Sequence, residues 1–320
     1  MMQQRKMKIF IPMLLALMLV FAGSTMSWAG YKGFVRDKAL ITPQQLKELI
    51  DKKDPHLVIL AVANIVDYRL GHIPGALHIW RGDYEPPKDK PYPYGGMILN
   101  RIEFEKFARN LGINNDSTVV IYDHKYDATR VWWAFFLYGK TDCKVLDGGF
   151  QGWKKAGYDT RMFAPDKPKQ GNFVAKPPLA GWTASMDEVW QAKTNPEMQV
   201  WDTREKKEWT GATLKRGAFR KGRIPWARFL NWKEFKMPVA PGEKPTAFKT
   251  ADEIQKVIEK FGMDKNKYQI FYCQSAVRTT TEIFALYLMG WDISKLQNYD
   301  GSWIQWSYFK ENPVVCDECK

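Results

Sequence analysis

Gln269-Ile270-Phe271-Tyr272-Cys273-Gln274-Ser275-Ala276-Val277-Arg278-Thr279-Thr280-Thr281 reads as a hydrophobic strand that ends in a cysteine-headed loop and opens straight into an apolar helix. In a strand-loop-helix unit the loop amides and the amino end of the helix converge on the loop's centre, and the helix dipole adds positive potential there. A thiol at that point ionises readily, because a cysteine pKa of about 8.5 falls to roughly 3.5–7.5 beside a helix N-terminus or a cation. Arg278 supplies a fixed cation. An inert core thiol, the usual fate of a buried cysteine, would sit inside the strand, whereas Cys273 ends it.

Working outward, the chain repeats itself at an offset near 150 residues. Thr42-Pro43-Gln44-Gln45 and Ser185-Met186-Asp187-Glu188 each open a helix with a capping-box pattern. Leu57 to Val62 and Met198 to Asp202 follow as buried strands, and Gly71-His72-Ile73-Pro74-Gly75-Ala76 is answered by Gly222-Arg223-Ile224-Pro225-Trp226-Ala227. Helices over Ile102 to Leu111 and Ala251 to Phe261 precede the strands Thr118 to Asp123 and Gln269 to Cys273. Helices through Val131 to Gly139 and Glu282 to Gly290 come next, then tryptophan-bearing turns, Asp147 to Trp153 and Asp300 to Trp306. This is a domain duplication rather than a solenoid period. Strands alternating with helices predict two α/β domains, each a mainly parallel sheet with helices on both faces. The expected boundaries are 30–160 and 183–310, joined by a linker over 161–182 around the Pro/Lys/Gly stretch Phe163 to Gly171, with a tail at 311–320.

At 320 residues, 45% hydrophobic and 14% aromatic, the chain can build two packed cores. Arg5, Lys6 and Lys8 precede the apolar run Ile9 to Ala22, and Ser27 and Ala29 flank Trp28. This pattern predicts a signal peptide over 1–29 and a periplasmic or secreted product. The run is short for a membrane span, so no stable membrane insertion is expected after its removal. The net charge of +13 drops to +10 when three basic and no acidic residues leave with the signal. Such a field favours small anions; no nucleic-acid module is recognisable.

The cysteines at 143, 273, 316 and 319 are too few for a disulfide scaffold. Cys143 lies in a strand-like stretch and reads as core. Cys316-Asp317-Glu318-Cys319 lacks a second pair for zinc. In an oxidising compartment the pair either closes locally, the reading preferred for a terminal segment, or serves as a resolving dithiol for Cys273.

Five motifs in order carry a resemblance: Gly71 to Ala76, Val145-Leu146-Asp147-Gly148-Gly149-Phe150, Asp202-Thr203-Arg204 with Glu208-Trp209, the Cys273 to Thr279 loop, and Asp300-Gly301-Ser302-Trp303. Over nearly its whole mature length the chain resembles a tandem-domain rhodanese, a sulfurtransferase of the thiosulfate or 3-mercaptopyruvate type. The resemblance implies a catalytically degenerate first domain, and Asp123 stands where the second has Cys273, Ala61 and Ala63 where it has Asp202 and Arg204. It further implies that Cys273 takes the sulfane sulfur of a small anionic donor as a persulfide and passes it to cyanide or a thiol. Gln274, Ser275, Ala276, Val277, Arg278 and Thr279 would form the binding loop, Ser275 and Thr279 donating hydroxyl hydrogen bonds and Arg278 holding the donor's anionic group. No metal or organic cofactor is implied; an exported Cys273 would call for a reductant.

Two departures from the family pattern stand out. Ala276 occupies a position commonly glycine, which strains the loop if a positive φ is required there. Glu208 replaces an arginine that grips the donor, leaving Arg278 or the basic stretch Lys215, Arg216, Arg220, Lys221 and Arg223 for that task. His72, which matches a histidine used by some mercaptopyruvate members, faces Ala61 in place of the expected aspartate and is read as structural. The rival readings are an exported persulfide or polysulfide carrier without efficient turnover, a thiol-dependent arsenate or selenite reductase resolved by Cys316 and Cys319, and a phosphatase. The last is disfavoured because the arginine is the fifth rather than the sixth residue after Cys273.

Overall fold

The computed structural model describes residues 30–87 and 91–319; the expected signal peptide lies outside them. The first half contributes β1 (Leu40–Ile41), β2 (Leu57–Val62), β3 (Leu77–Ile79), β4 (Thr118–Asp123) and β5 (Cys143–Leu146). The second contributes β6 (Thr183–Ala184), β7 (Met198–Asp202), β8 (Arg228–Phe229), β9 (Tyr268–Tyr272) and β10 (Leu296–Tyr299). Their orders, β1-β5-β4-β2-β3 and β6-β10-β9-β7-β8, are the same topology twice, and every pairing is parallel. Continuous apolar runs such as Leu57 to Val62 fit this arrangement because a parallel strand is covered on both faces. The register also carries the duplication: Ala61 pairs with Tyr122 as Asp202 pairs with Tyr272.

The capping boxes at Thr42 and Ser185 form as their spacing predicts, each hydroxyl accepting from the amide three residues on. The tryptophan-bearing segments are more than turns. Each carries a short helix, Gly149–Lys155 and Ser302–Tyr308, that begins right after the Asp-Gly pair.

The two halves share one continuous core. Helices Ala128–Leu137 and Thr279–Leu288, almost wholly buried, pack against each other. Trp132 meets Phe284 edge-on at 4.6 Å, and Thr129 and Thr280 exchange a 2.9 Å hydroxyl bond at the join. Two crossing straps add to this. The Ile98 amide of the first half donates to Asp300 Oδ2 of the second (3.0 Å), and the Phe248 amide of the second donates to Asp147 Oδ1 of the first (2.9 Å). The connecting segment, expected as a linker, is strapped down: Gly171, Phe173, Lys176 and Leu179 amides donate to Arg109, Ile113, Tyr138 and Leu137 carbonyls, and Phe173 is buried. Among the described residues no helix is long and apolar enough to cross a membrane.

Candidate functional site

β9 delivers Cys273 to the floor of an interdomain cleft of about 830 Å³, and the helix Thr279–Leu288 starts six residues later. The thiol is almost fully buried. Burial alone would raise its pKa, but the Arg278 charge and the backbone N–H groups of Thr279, Ser275 and Arg278 outweigh it and hold the thiol below its ordinary range. The loop therefore does what its strand-to-helix position predicts. The donors are backbone amides, which cannot rotate away.

Ala276 adopts φ 54°, the strained left-handed conformation its position threatened. The strain is fixed from a second segment. Ser302 Oγ, itself on a residue at φ 49°, accepts from the Cys273 and Ala276 amides (3.2 and 2.9 Å) and donates to the Tyr299 carbonyl (2.9 Å). Asn298 accepts from Thr279 Oγ1 (2.8 Å). Ala276→Gly removes a Cβ from the left-handed region and should stabilise the fold by about 1 kcal/mol in chemical denaturation.

Two expectations for the loop are corrected. Arg278 does not offer its fork to a donor: Nη1 and Nη2 donate to Glu208 Oε2 and Oε1 at 2.7 and 2.8 Å, with both side chains buried. The arginine acts on Cys273 through its charge. The Glu208 carboxyl, against burial that would raise it, is brought down to about 2 chiefly by that same arginine. Thr279 does not aim its hydroxyl at the cleft, because Asn298 takes it. Of the basic stretch, Arg220 is engaged by carbonyls of Trp306, Ser307, Phe309 and Asn312, and Arg223 by Asp317. Lys215 and Arg216 reach the cleft wall, Lys215 with Nζ 3.5 Å from Glu208. Gln274 donates to the Arg216 carbonyl, tying loop to wall, and the Val277 carbonyl accepts from Thr280 Oγ1.

The roof comes from the first half and was not visible as site residues in the sequence: Trp80, Arg81, Tyr94, Gly96 and Tyr126 line the cleft. Gly96, at φ 91°, lies so close that a Cβ there would stand 2.6 Å from Ser275 Cβ. Gly96→Ala should therefore displace the Cys273 loop and lower kcat/KM by roughly 10²-fold, since about 1 Å of misplacement is enough for that; steady-state turnover reads it.

In the first half the same loop is self-filled. Asp123 occupies the Cys273 position, and its carboxylate accepts from the Lys125 and Ala128 amides (3.1 and 2.6 Å). Asp202 and Arg204 are buried and paired; Asp202 accepts from Tyr272 and Arg204 donates to the Gly222 carbonyl, a structural role. His72 is fully buried, stacked on Tyr68 at 4.0 Å and outside the cleft. Cys143 lies in β5 with its pKa pushed far up by burial. Cys316 and Cys319 form a disulfide held against Thr210, whose carbonyl accepts the Asp317 and Glu318 amides, and neither lines the cleft. The tail is thus pinned rather than free to swing to Cys273. Among the described residues no group of three or more His, Cys, Asp or Glu side chains could hold a metal ion.

The sequence matches the Rhodanese-like domain family twice, over residues 42–156 and 185–308. It is 30% identical to the sulfur carrier protein TtuD of Thermus thermophilus over 89% of this chain and 99% of that one. It is also 30% identical to the thiosulfate sulfurtransferase of Gallus gallus over 75% and 80%. Among solved structures, SseA from Escherichia coli, a 3-mercaptopyruvate sulfotransferase, superimposes with a TM-score of 0.71 at 25% identity, covering 83% of this chain and 98% of that one. The anaerobic ergothioneine biosynthesis enzyme from Chlorobium limicola, bound to trimethyl histidine, shares the fold with a TM-score of 0.75 at 23% identity, covering 88% and 71%.

Proposed function

Because this chain belongs to the rhodanese-like family and is a sulfurtransferase, we propose that it takes a sulfur atom from thiosulfate or 3-mercaptopyruvate as a Cys273 persulfide and delivers it to cyanide or a thiol. The observation that carries this reading is the convergence of the Ser275, Arg278 and Thr279 amides, together with the Arg278 charge, on one buried thiol at the floor of a cleft. With thiosulfate, the Cys273 thiolate attacks the outer sulfur. The donor's S–S bond breaks, sulfite leaves with the electron pair, and the new persulfide carries its charge on the terminal sulfur. The same amides that favour the thiolate then stabilise that terminal anion, an anion hole built for sulfur. Cyanide attacks the outer sulfur, thiocyanate leaves, and the Cys273 thiolate returns.

Arg278 being engaged by Glu208, the donor's anionic end falls to Lys215 and Arg216 on the cleft wall. The N-terminal signal pattern supports a periplasmic or secreted setting, in which Cys273 needs a reductant. Intact-mass measurement of the protein incubated separately with each donor tests the reading. A gain of one sulfur atom, lost again on adding cyanide, is the expected result; no gain with either donor refutes it. A second reading, a sulfur carrier, is favoured by the 30% identity to TtuD over nearly that protein's whole length. It predicts stoichiometric loading without multiple turnovers on thiosulfate and cyanide.

A further inference from the structure

Glu85 follows the helix Arg81–Tyr84 and stands in the wall of the cleft into which Cys273 opens. Its Oε1 is buried and meets no hydrogen-bond partner. Leaving a buried acceptor unpaired costs about 1–3 kcal/mol, and such groups in folded proteins call for a reason. The neighbouring cations act on it through their charge without hydrogen-bonding to it. Arg81, on its own helix, is paired with Asp127, and Arg130, from the helix Ala128–Leu137, is paired with Asp300. Glu85 is therefore a carboxyl in a cleft with no fixed partner.

The duplication shows what this position faces. In the second half the residue that follows the equivalent short helix, Trp232–Phe235, is Lys236, buried and within electrostatic reach of Asp123. Asp123 is the counterpart of Cys273. In the first half the position that matches Lys236 is Glu85, and it lines the same cleft as Cys273. Burial acts most strongly on the Glu85 carboxyl; Arg130 and Arg81 pull against it, Asp300 and Asp127 reinforce it, and the result is a pKa raised to about 7. On the same helix Asp83 is exposed and accepts from the Trp80 amide, and Tyr84 is buried with its pKa far above the ordinary value and stays neutral.

We propose that Glu85 is the general base of the thiol half-reaction, removing the S–H proton of an incoming thiol acceptor as its sulfur attacks the outer sulfur of the Cys273 persulfide. The S–H bond breaks to Glu85, and an S–S bond forms between the acceptor and the outer sulfur. The bond from that sulfur to Cys273 Sγ breaks with its electron pair returning to Cys273 as thiolate. The acceptor leaves as a persulfide anion, and Glu85 passes its proton to solvent. Cyanide has no proton to lose and bypasses this step. The inference rests on the persulfide reading of Cys273.

The test is steady-state turnover of thiosulfate with dithiothreitol and with cyanide as acceptors, on either side of neutral pH, for wild type, Glu85→Gln and Glu85→Asp. General-base catalysis contributes about 10²–10⁴-fold, so Glu85→Gln should lower the ratio of dithiothreitol to cyanide turnover by about 10²-fold. The acid limb of the wild-type dithiothreitol profile, centred near pH 7, should disappear, and Glu85→Asp should restore part of the ratio. Equal slowing with both acceptors would show Glu85 to be structural, and unchanged turnover with both would remove it from the reaction; either overturns the proposal. If the wild-type protein gains no sulfur by intact mass, the persulfide reading itself fails, a result distinct from both.

Discussion

Cys273→Ser abolishes sulfur loading and turnover while the protein folds with an unchanged unfolding midpoint. A serine hydroxyl in the same cradle stays protonated at neutral pH, whereas the Arg278 charge and three backbone amides, acting against burial, hold the cysteine below its ordinary pKa. Sulfur-to-sulfur attack also needs a polarizable nucleophile that can serve as the leaving group of the next step, and an alkoxide is poor at that. The swap is nearly isosteric at an almost fully buried site, so packing is kept. Intact mass, turnover and thermal unfolding together check the prediction. Residual turnover well above the uncatalysed rate, or a sulfur adduct elsewhere on the variant, would disprove the assignment.

Glu208→Gln should be among the most destabilising single changes near the site. The Arg278 guanidinium is buried and its two Nη groups end on the two Glu208 oxygens. Removing the carboxylate charge leaves a buried cation uncompensated, which typically costs about 3–5 kcal/mol. The effect depends on pH with a definite sign. The folded-state pKa of Glu208, about 2, lies below the ordinary value of 4.5. The pair's contribution is thus fully present above the ordinary value and is lost as pH falls from there through about 2. Denaturation of wild type and variant should show the full stability gap at neutral pH and a narrowing gap as the medium is acidified toward that pKa. A gap independent of pH would mean that packing rather than charge separates the two proteins.

The duplication, the parallel sheets and the placement of Cys273 between a strand and a helix were all legible in the sequence because each is written in local signals. The runs Leu57 to Val62 and Thr118 to Asp123 coincide with β2 and β4, and the capping boxes at Thr42 and Ser185 form as read. Cys273 was legible because the strand-to-helix junction fixes its surroundings within seven residues. Arg278 was misread for the opposite reason. Its partner lies 70 residues away, and nothing in the spacing shows that Glu208 would meet it face to face. Ser302 holds the Cys273 and Ala276 amides from 26 or more residues downstream; the signal that could have found it is that it replaces Gly149 of the first copy, a side chain added where the duplicate has none. Glu85 and Gly96 reach the site from the other half, and local pattern carries no information about which loop crosses a domain boundary.

The crossing straps carry a consequence for how this protein is inherited. Ile98 is anchored by Asp300 and Phe248 by Asp147, so each half lends its neighbour the cover of its loop. The copy without Cys273 is therefore no silent passenger. An allele altered between Tyr94 and Ile98 would behave as a lesion of the Cys273 centre although it lies more than 170 residues away in the gene product. A recombination event that kept only the second copy would leave the reactive sulfur without its roof. The pair can diversify only together, with changes in one copy screened by the chemistry of the other.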